Sequence, residues 1–183
     1  RTISSAASDV YKRQVEGGSQ GEYVPNKKTN DSDFPLIYSA DRIDYFLKTE
    51  TTKLIGNAKA KHENTALNAG FIEVNWPTRI LNAFPKQPHD SINQFIKPTI
   101  IEKGRDPMVG NEMTYNLDTK KGKINYGKTK ADDGFYKGKE IRNESDKTIY
   151  IKNSIFTTCD LDTPHFHFES NKMKIIQDDV VIA

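Results

Sequence analysis

Alternation between apolar and polar residues constrains this chain more than any other feature, and it is clearest from Thr148 to Ala183. In TIYIKNSIF, Ile149, Ile151 and Ile155 share one parity. In HFHFESNKMKI, Phe166 and Phe168 do the same, and Met173 and Ile175 lean to one face after a turn at Ser170-Asn171. A period of two belongs to a strand with one buried face. Two such strands, joined through a corner from Cys159 to Pro164, are therefore expected. No stretch keeps the helical period over three turns, and the fold class expected is all-β.

The same pattern runs back to Pro35. LIYSADRIDYFLKT places Ile43, Tyr45 and Leu47 on one parity. KLIGNAKAKHE and ALNAGFIEVN follow, split by a turn at Glu63-Asn64, and their small residues Ala58, Ala60 and Ala69 imply a narrow interior. Pro77, Pro85, Pro88 and Pro98 punctuate residues 76–107, which read as a loop with at most one short strand or helical turn around Asp90 to Ile96. Further strands are expected in EMTYNLDT, KGKINYGKTKAD and GFYKGKEI. Turn residues stand between them at Thr119–Gly122, Asp132–Gly134 and Asn143–Asp146.

The chain also repeats itself. Residues 40–74 can be laid over 111–141, so that Tyr45 meets Tyr115, Leu47 meets Leu117, Thr49 meets Thr119, Gly56 meets Gly127 and Ile72 meets Ile141; a partial third copy begins at His165. A unit of strand, turn, glycine-centred strand, turn, strand cannot bury a face alone and stacks on its neighbours. The ends of such an array are open edges, which can dock another chain.

Composition narrows the function classes. Of the 183 residues, 35% are hydrophobic, below the roughly 45–50% typical of globular chains, which fits two-faced sheets with much solvated surface. Lys and Arg number 27 against 25 Asp and Glu, with both signs interspersed; no basic stripe points to nucleic acid. No apolar run reaches the ~18 residues of a membrane helix. RTISSAASDVYKRQ reads as a translated sequencing adapter, so residues 1–14 are set aside and 15–33 are read as a disordered polar lead-in. Both ends look cut. The single cysteine, Cys159, is either a buried thiol or half of a disulfide whose partner lies outside this sequence.

Several motifs carry a family resemblance. Y-x-A-D-x-I-x-Y, L-x-G-N-A and an Ala-rich strand, from Tyr38 to Ala69, resemble the OstA-type repeat of the lipopolysaccharide transport proteins. G-x-x-M-x-Y-N-x-x-T-x-x-G (110–122), G-F-Y-K-G-K-E-I (134–141) and F-T-T-C-D-x-D-x-P-H-F-H-F (156–168) resemble the periplasmic domain of the LptD-type outer-membrane lipopolysaccharide assembly proteins. The resemblance covers most of Pro35 to Ala183; the T-T-C-D corner is its most specific part. It implies that 34–183 form one OstA-like domain, an open β-jellyroll or β-taco of repeated antiparallel hairpins with two sheets in a V, ending before a C-terminal barrel. It implies no enzyme and no cofactor. Lipopolysaccharide would slide along the V with its acyl chains inside, at the periplasmic face of the outer membrane of a Gram-negative cell. The implied partners are lipopolysaccharide, an LptA-like bridge added at a strand edge, the barrel of the same protein, and an LptE-like plug. Cys159 would pair with a cysteine of the barrel.

A sliding acyl chain needs a uniform apolar wall. The wall candidates are Ile43, Tyr45, Leu47, Leu54, Ala58, Leu67, Ala69 and Phe71 in the first half, with Ile124, Tyr126, Ile149, Ile151, Phe166, Phe168, Met173 and Ile175 in the second. Bulges would shift these parities.

The remaining polar motifs offer other chemistry. His165 and His167, two apart on a strand, could chelate a metal as in a cupin-like barrel, but His62 and His89 sit in no matching motif, and no metal is expected. Asp132-Asp133 and Asp178-Asp179 are adjacent pairs whose side chains diverge on strands, unsuited to paired acid/base work. Gly17-Gly18 and Gly134–Gly138 do not form a phosphate loop before a helix. A soluble LptA- or LptC-like bridge would share the fold, and a carbohydrate-binding sandwich would need a row of exposed aromatics where the chain has one Trp, Trp76.

Overall fold

The computed structural model describes residues 12–23, 35–86, 95–131, 134–144, 148–161, 163–176 and 180–183, the first of these as backbone. Among them there is no helix, and the protein is all-β. The strands are β1 (Lys12–Tyr23), β2 (Leu36–Phe46), β3 (Thr51–His62), β4 (Thr65–Asn75), β5 (Ile80–Phe84), β6 (Thr99–Glu102), β7 (Met108–Val109), β8 (Glu112–Asn116), β9 (Gly122–Ala131), β10 (Gly134–Asn143), β11 (Thr148–Thr157), β12 (Phe168–Ile176) and β13 (Val180–Ile182). Antiparallel pairing joins them into one hydrogen-bonded sheet in the order β1-β2-β3-β4-β5-β8-β9-β10-β11-β12-β13.

The centre of this sheet is doubled. One edge of β4 carries two partners in succession, β6 along Thr65–Asn68 and β5 along Phe71–Asn75. The facing edge of β9 is shared in the same way, with β8 along Gly122–Asn125 and β7 at Lys128. Since β5 pairs with β8 and β6 with β7, the six strands close a ring. Gly70 stands where β4 changes partner, and a Cβ there would lie 1.9 Å from the Pro85 carbonyl oxygen. Only a residue without a side chain fits so close to another backbone.

A line of breaks crosses the long strands, and the strand halves on either side of it are here called the two leaves. The ladders shift between Glu16 and Ser19, Ser39 and Arg42, and Ile55 and Ala58. Farther along, Tyr126, Lys139, Asn153 and Asn171 drop out of the pairing. Positive φ at Gly56, Asn57, Tyr126 and Asn153 falls on the same line, where local bulges bend each strand. Residues from both leaves meet in a single core cluster.

Three expectations about the chain's layout need correction, the first being the turn at Ser170-Asn171, which lies inside β12, where Asn171 is only a break in the pairing. Residues 12–23 were assigned to the lead-in but form β1, paired along β2. An edge strand is held by main-chain hydrogen bonds, which composition does not reveal. The rest of that lead-in lies outside the described residues. The proline-punctuated stretch contains two strands, β5 and β6, of five and four residues. Prolines at its turns masked the alternation ILNAF, in which Leu81 and Ala83 are fully buried. The two stretches laid over each other fall on β2-β3-β4 and β8-β9-β10; Gly56 lies on the break line with positive φ, whereas Gly127 stands beside it, paired with Gly138.

On the outer face of β9–β11, Glu140 accepts hydrogen bonds or ion pairs from Lys123 (3.0 Å), Lys152 (3.0 Å) and Arg142 (2.9 Å). Lys123, then Lys152, with Arg142 adding its charge, hold the carboxyl down at about 2 from its ordinary 4.5. A carboxyl lowered on folding stabilises the fold above its unfolded value, and that contribution disappears as pH falls through the folded value. Between pH 5 and 2 the wild type should therefore lose stability that Glu140→Gln does not. Its cations are half exposed, so the difference should stay under about 1 kcal/mol and shrink with salt. Urea midpoints of both proteins across that pH range check this.

A candidate lipid-binding interior

Register turns the alternation of single strands into rows across the sheet. In the first leaf, Ile43 pairs with Leu54, Leu54 with Ile72, Ile72 with Ala83 and Ala83 with Met113. The row continues through Ile124, Ile141 and Ile151 to Met173, so nine successive strand positions are apolar. Ile43 is half-buried and the other eight are buried. A second row, one pleat away, runs Tyr45, Thr52, Val74, Leu81, Tyr115, Gly122, Asn143, Ile149 and Ile175. It is narrower in apolar character but equally continuous.

The second leaf carries rows of its own. Tyr38, Ala60, Leu67, Ile100 and Met108 form one row across β2, β3, β4, β6 and β7. Farther on, Thr129, Tyr136, Phe156 and Phe168 pair in register; the ring centroids are 4.9 Å apart for Tyr136–Phe156 and 6.3 Å for Phe156–Phe168. This aromatic ladder begins in the core at Tyr136 and ends in solvent at Phe168, which is 67% exposed.

At the rim, polar groups join the two leaves. Lys120 Nζ lies 2.9 Å from Glu63 Oε2, Arg105 Nη1 donates to Asn143 Oδ1 at 3.3 Å, and a side-chain hydrogen bond links Tyr115 with Thr65. Tyr38 meets Trp76 at 6.2 Å between ring centroids, and Trp76 Nε1 donates to Thr52 Oγ1 at 2.8 Å. Burial raises the hydroxyl pKa of Tyr115 and of Tyr38, as expected for phenols held in apolar surroundings. His62 is buried beside Glu63, and desolvation lowers its pKa; Lys120 and Arg79 push the same way against Glu63 and Asp118.

Of the wall candidates, Leu54, Ala58, Leu67, Ala69, Ile124, Ile149, Ile151, Met173 and Ile175 lie buried in this cluster, and Ile43 and Tyr45 pack partly against it. Five candidates stand elsewhere. Leu47 is in the exposed turn after β2, whereas its repeat mate Leu117 is buried. Phe71 is buried outside the cluster, its ring 6.1 Å from Phe84, because the interior parity of β4 flips at Gly70. Tyr126 sits on the break line with φ 50° and points outward. Phe166 precedes β12 and is exposed, as is Phe168 at the end of its ladder. Ile155 loses its shared parity with Ile149 and Ile151 at Asn153, after which Phe156 takes the inner position. Tyr115, Leu81, Ile72, Ile141 and Met113 were not among the candidates. The repeat had already paired Ile72 with Ile141 and Tyr45 with Tyr115, which was the signal for three of them.

The histidines do not share a strand face. His165 and His167 lie before β12 and are exposed, with His165 Nδ1 3.7 Å from Cys159 Sγ and His167 Nε2 3.0 Å from Glu169 Oε1. Among the described residues no three His, Cys, Asp or Glu side chains converge. Cys159 is a free, half-exposed thiol whose amide donates to Thr157 Oγ1 at 3.0 Å. The pairs Asp132-Asp133 and Asp178-Asp179, with Asp162 and His89, lie outside the described residues. No family model matches the chain, and no curated protein matches it.

Proposed function

We propose that this chain is a non-catalytic lipopolysaccharide-binding module, a β-jellyroll whose two leaves, joined through the six-strand ring, open as a V to pass acyl chains toward an outer-membrane barrel. The observation that carries this reading is the nine-position apolar row from Ile43 to Met173, which crosses β2 to β12 without a polar residue. A track for a sliding chain runs across strands, and each acyl CH₂ taken from water contributes about 0.8 kcal/mol. Loading requires the leaves to part at the rim. The contacts there are surface ion pairs and single hydrogen bonds, each contributing about 1 kcal/mol or less. Met108, Met113 and Met173 line the interior with side chains that re-pack readily. Within this reading the half-exposed Cys159 forms a disulfide with the barrel, and an LptA-like bridge adds to the edge of β1.

Photocrosslinking in the intact cell envelope tests the proposal. A photoreactive residue at Ile151 or Ile141 should capture lipopolysaccharide, and one at the outer position Lys152 should not. Capture at Lys152 alone would sink the trough. A soluble bridge protein is a second reading, favoured by the fact that β1 and β13 each have one pairing partner among the described residues. Alkylation decides between them: an anchored module protects Cys159 until reductant is added, whereas a bridge leaves it labelled throughout.

A further inference from the structure

His62 is the last inward-facing position of β3. It shares the parity of the buried residues Ala58 and Ala60, and it pairs across the Glu63-Asn64 turn with Thr65. Only 6% of the residue is exposed, yet Nδ1 of its ring has no hydrogen-bond partner among the described residues. The next side chain repeats the pattern. Glu63 Oε1 is buried without a partner among those residues, while Glu63 Oε2 holds Lys120 Nζ at 2.9 Å. A buried polar atom left unpaired costs about 1–3 kcal/mol, so two of them on adjacent residues at a contact between the leaves call for an explanation.

The surroundings decide what a proton on His62 does. Lys120 and Asp118 act on it from the turn between β8 and β9, Arg79 from the segment before β5, and Glu63 from its own turn. Arg79 Nε and Asp118 Oδ1 are 3.0 Å apart and largely cancel, which leaves Glu63 and Lys120 as the pair whose balance a new charge alters. Glu102, the partner of Thr65 on β6, is paired with Arg105. Tyr115 reaches the same place through its hydrogen bond with Thr65, and burial keeps its phenol protonated where histidine titrates. Desolvation lowers the His62 pKa, so the ring inside the closed rim is neutral at neutral pH.

We propose that His62 and Glu63 form a proton-operated latch on the rim. With His62 neutral, Glu63 is left to Lys120 and ties the second leaf to the turn between β8 and β9. A protonated His62 has N–H donors at both ring nitrogens, competes for the Glu63 carboxylate and repels Lys120. The ring takes its proton more readily where water reaches it, so the closed rim binds fewer protons than the open one. Falling pH therefore favours opening, in the interval below the ordinary histidine value of 6.5. The latch acts on the fold itself and stands whether or not the interior carries lipid.

Spin labels at Asn64→Cys and Thr119→Cys, in the full chain with Cys159→Ser, measure the separation across the latch by pulsed dipolar spectroscopy. Between about pH 8 and about pH 5, above the range in which Glu140 titrates, a longer-distance population should grow at least about threefold, with its midpoint below 6.5. His62→Phe keeps a ring without a titrating nitrogen and should stay short throughout; His62→Gln serves the same purpose if the phenylalanine variant does not fold. Glu63→Gln should show the longer population at both ends of the range, because Lys120 has lost its carboxylate. Trp76 fluorescence checks that each protein keeps its fold at each pH. An unchanged separation in the labelled parent would overturn the latch, and so would a His62 ring that titrates at or above 6.5 by NMR. An equal response in the His62 variants would also overturn it, by assigning the effect to the exposed His165 or His167.

Discussion

Urea unfolding of an Ile141→Ala variant is expected to show a loss of about 4 kcal/mol relative to the wild type, near the upper part of the range for emptying a well-packed aliphatic site. Ile141 is fully buried, with Ile124 and Ile151 as its cross-strand partners on either side. It also fills the space left by Gly127, where a Cβ would lie 2.6 Å from its Cδ1. Two strands drawn together at that point cannot close readily over the hole. Ile141→Val should cost only about 1 kcal/mol. Gly127→Ala by itself should destabilise by crowding Ile141, but together with Ile141→Ala it should cost less than the sum of the two, because the new methyl group occupies vacated volume. Trp76, the sole tryptophan and buried, reports the transition. Strict additivity of the double variant would contradict the packing described here.

Gly70→Ala should cost about 3 kcal/mol, from overlap rather than from a cavity. The atom it would strike, the Pro85 carbonyl oxygen, belongs to backbone, so no rotamer change relieves the contact. That carbonyl accepts from the Ile96 amide at 2.9 Å, and the Ile96 carbonyl accepts from the Gly70 amide at 3.1 Å. Moving either segment away therefore breaks a backbone bridge at the point where β4 passes from β6 to β5. Hydrogen exchange should show β5 and β6 losing protection ahead of β11 and β12. Unchanged midpoints would mean that the close approach is not maintained in solution.

Periodicity reads only a strand's own two faces, and it did so correctly for Ile149 and Ile151, for Met173 and Ile175, and for Leu67 and Ala69. It failed at Phe71, Tyr126 and Ile155, each next to a residue where the strand bends or changes partner. A single residue of slip reverses every side chain beyond it. Nothing local announces such a slip: Gly70 marks it through contact with Pro85, fifteen positions away, and Asn153 through a positive φ that Asn tolerates and does not require. Strands β5 and β6 escaped detection because five or four residues between prolines give alternation too little length to register.

Tyr126 had the inward parity of a wall residue until the bulge turned it out.

By itself, the sequence determined an all-β chain and turns such as those at Glu63-Asn64 and Thr119–Gly122, because a period of two and turn chemistry act over a few residues. Only the tertiary structure decided which residues share a row, that six strands close a ring, and which side of β9 faces the interior. Those outcomes depend on register and on backbone approach between distant segments, where hydrogen bonding and excluded volume act across space without leaving a local pattern.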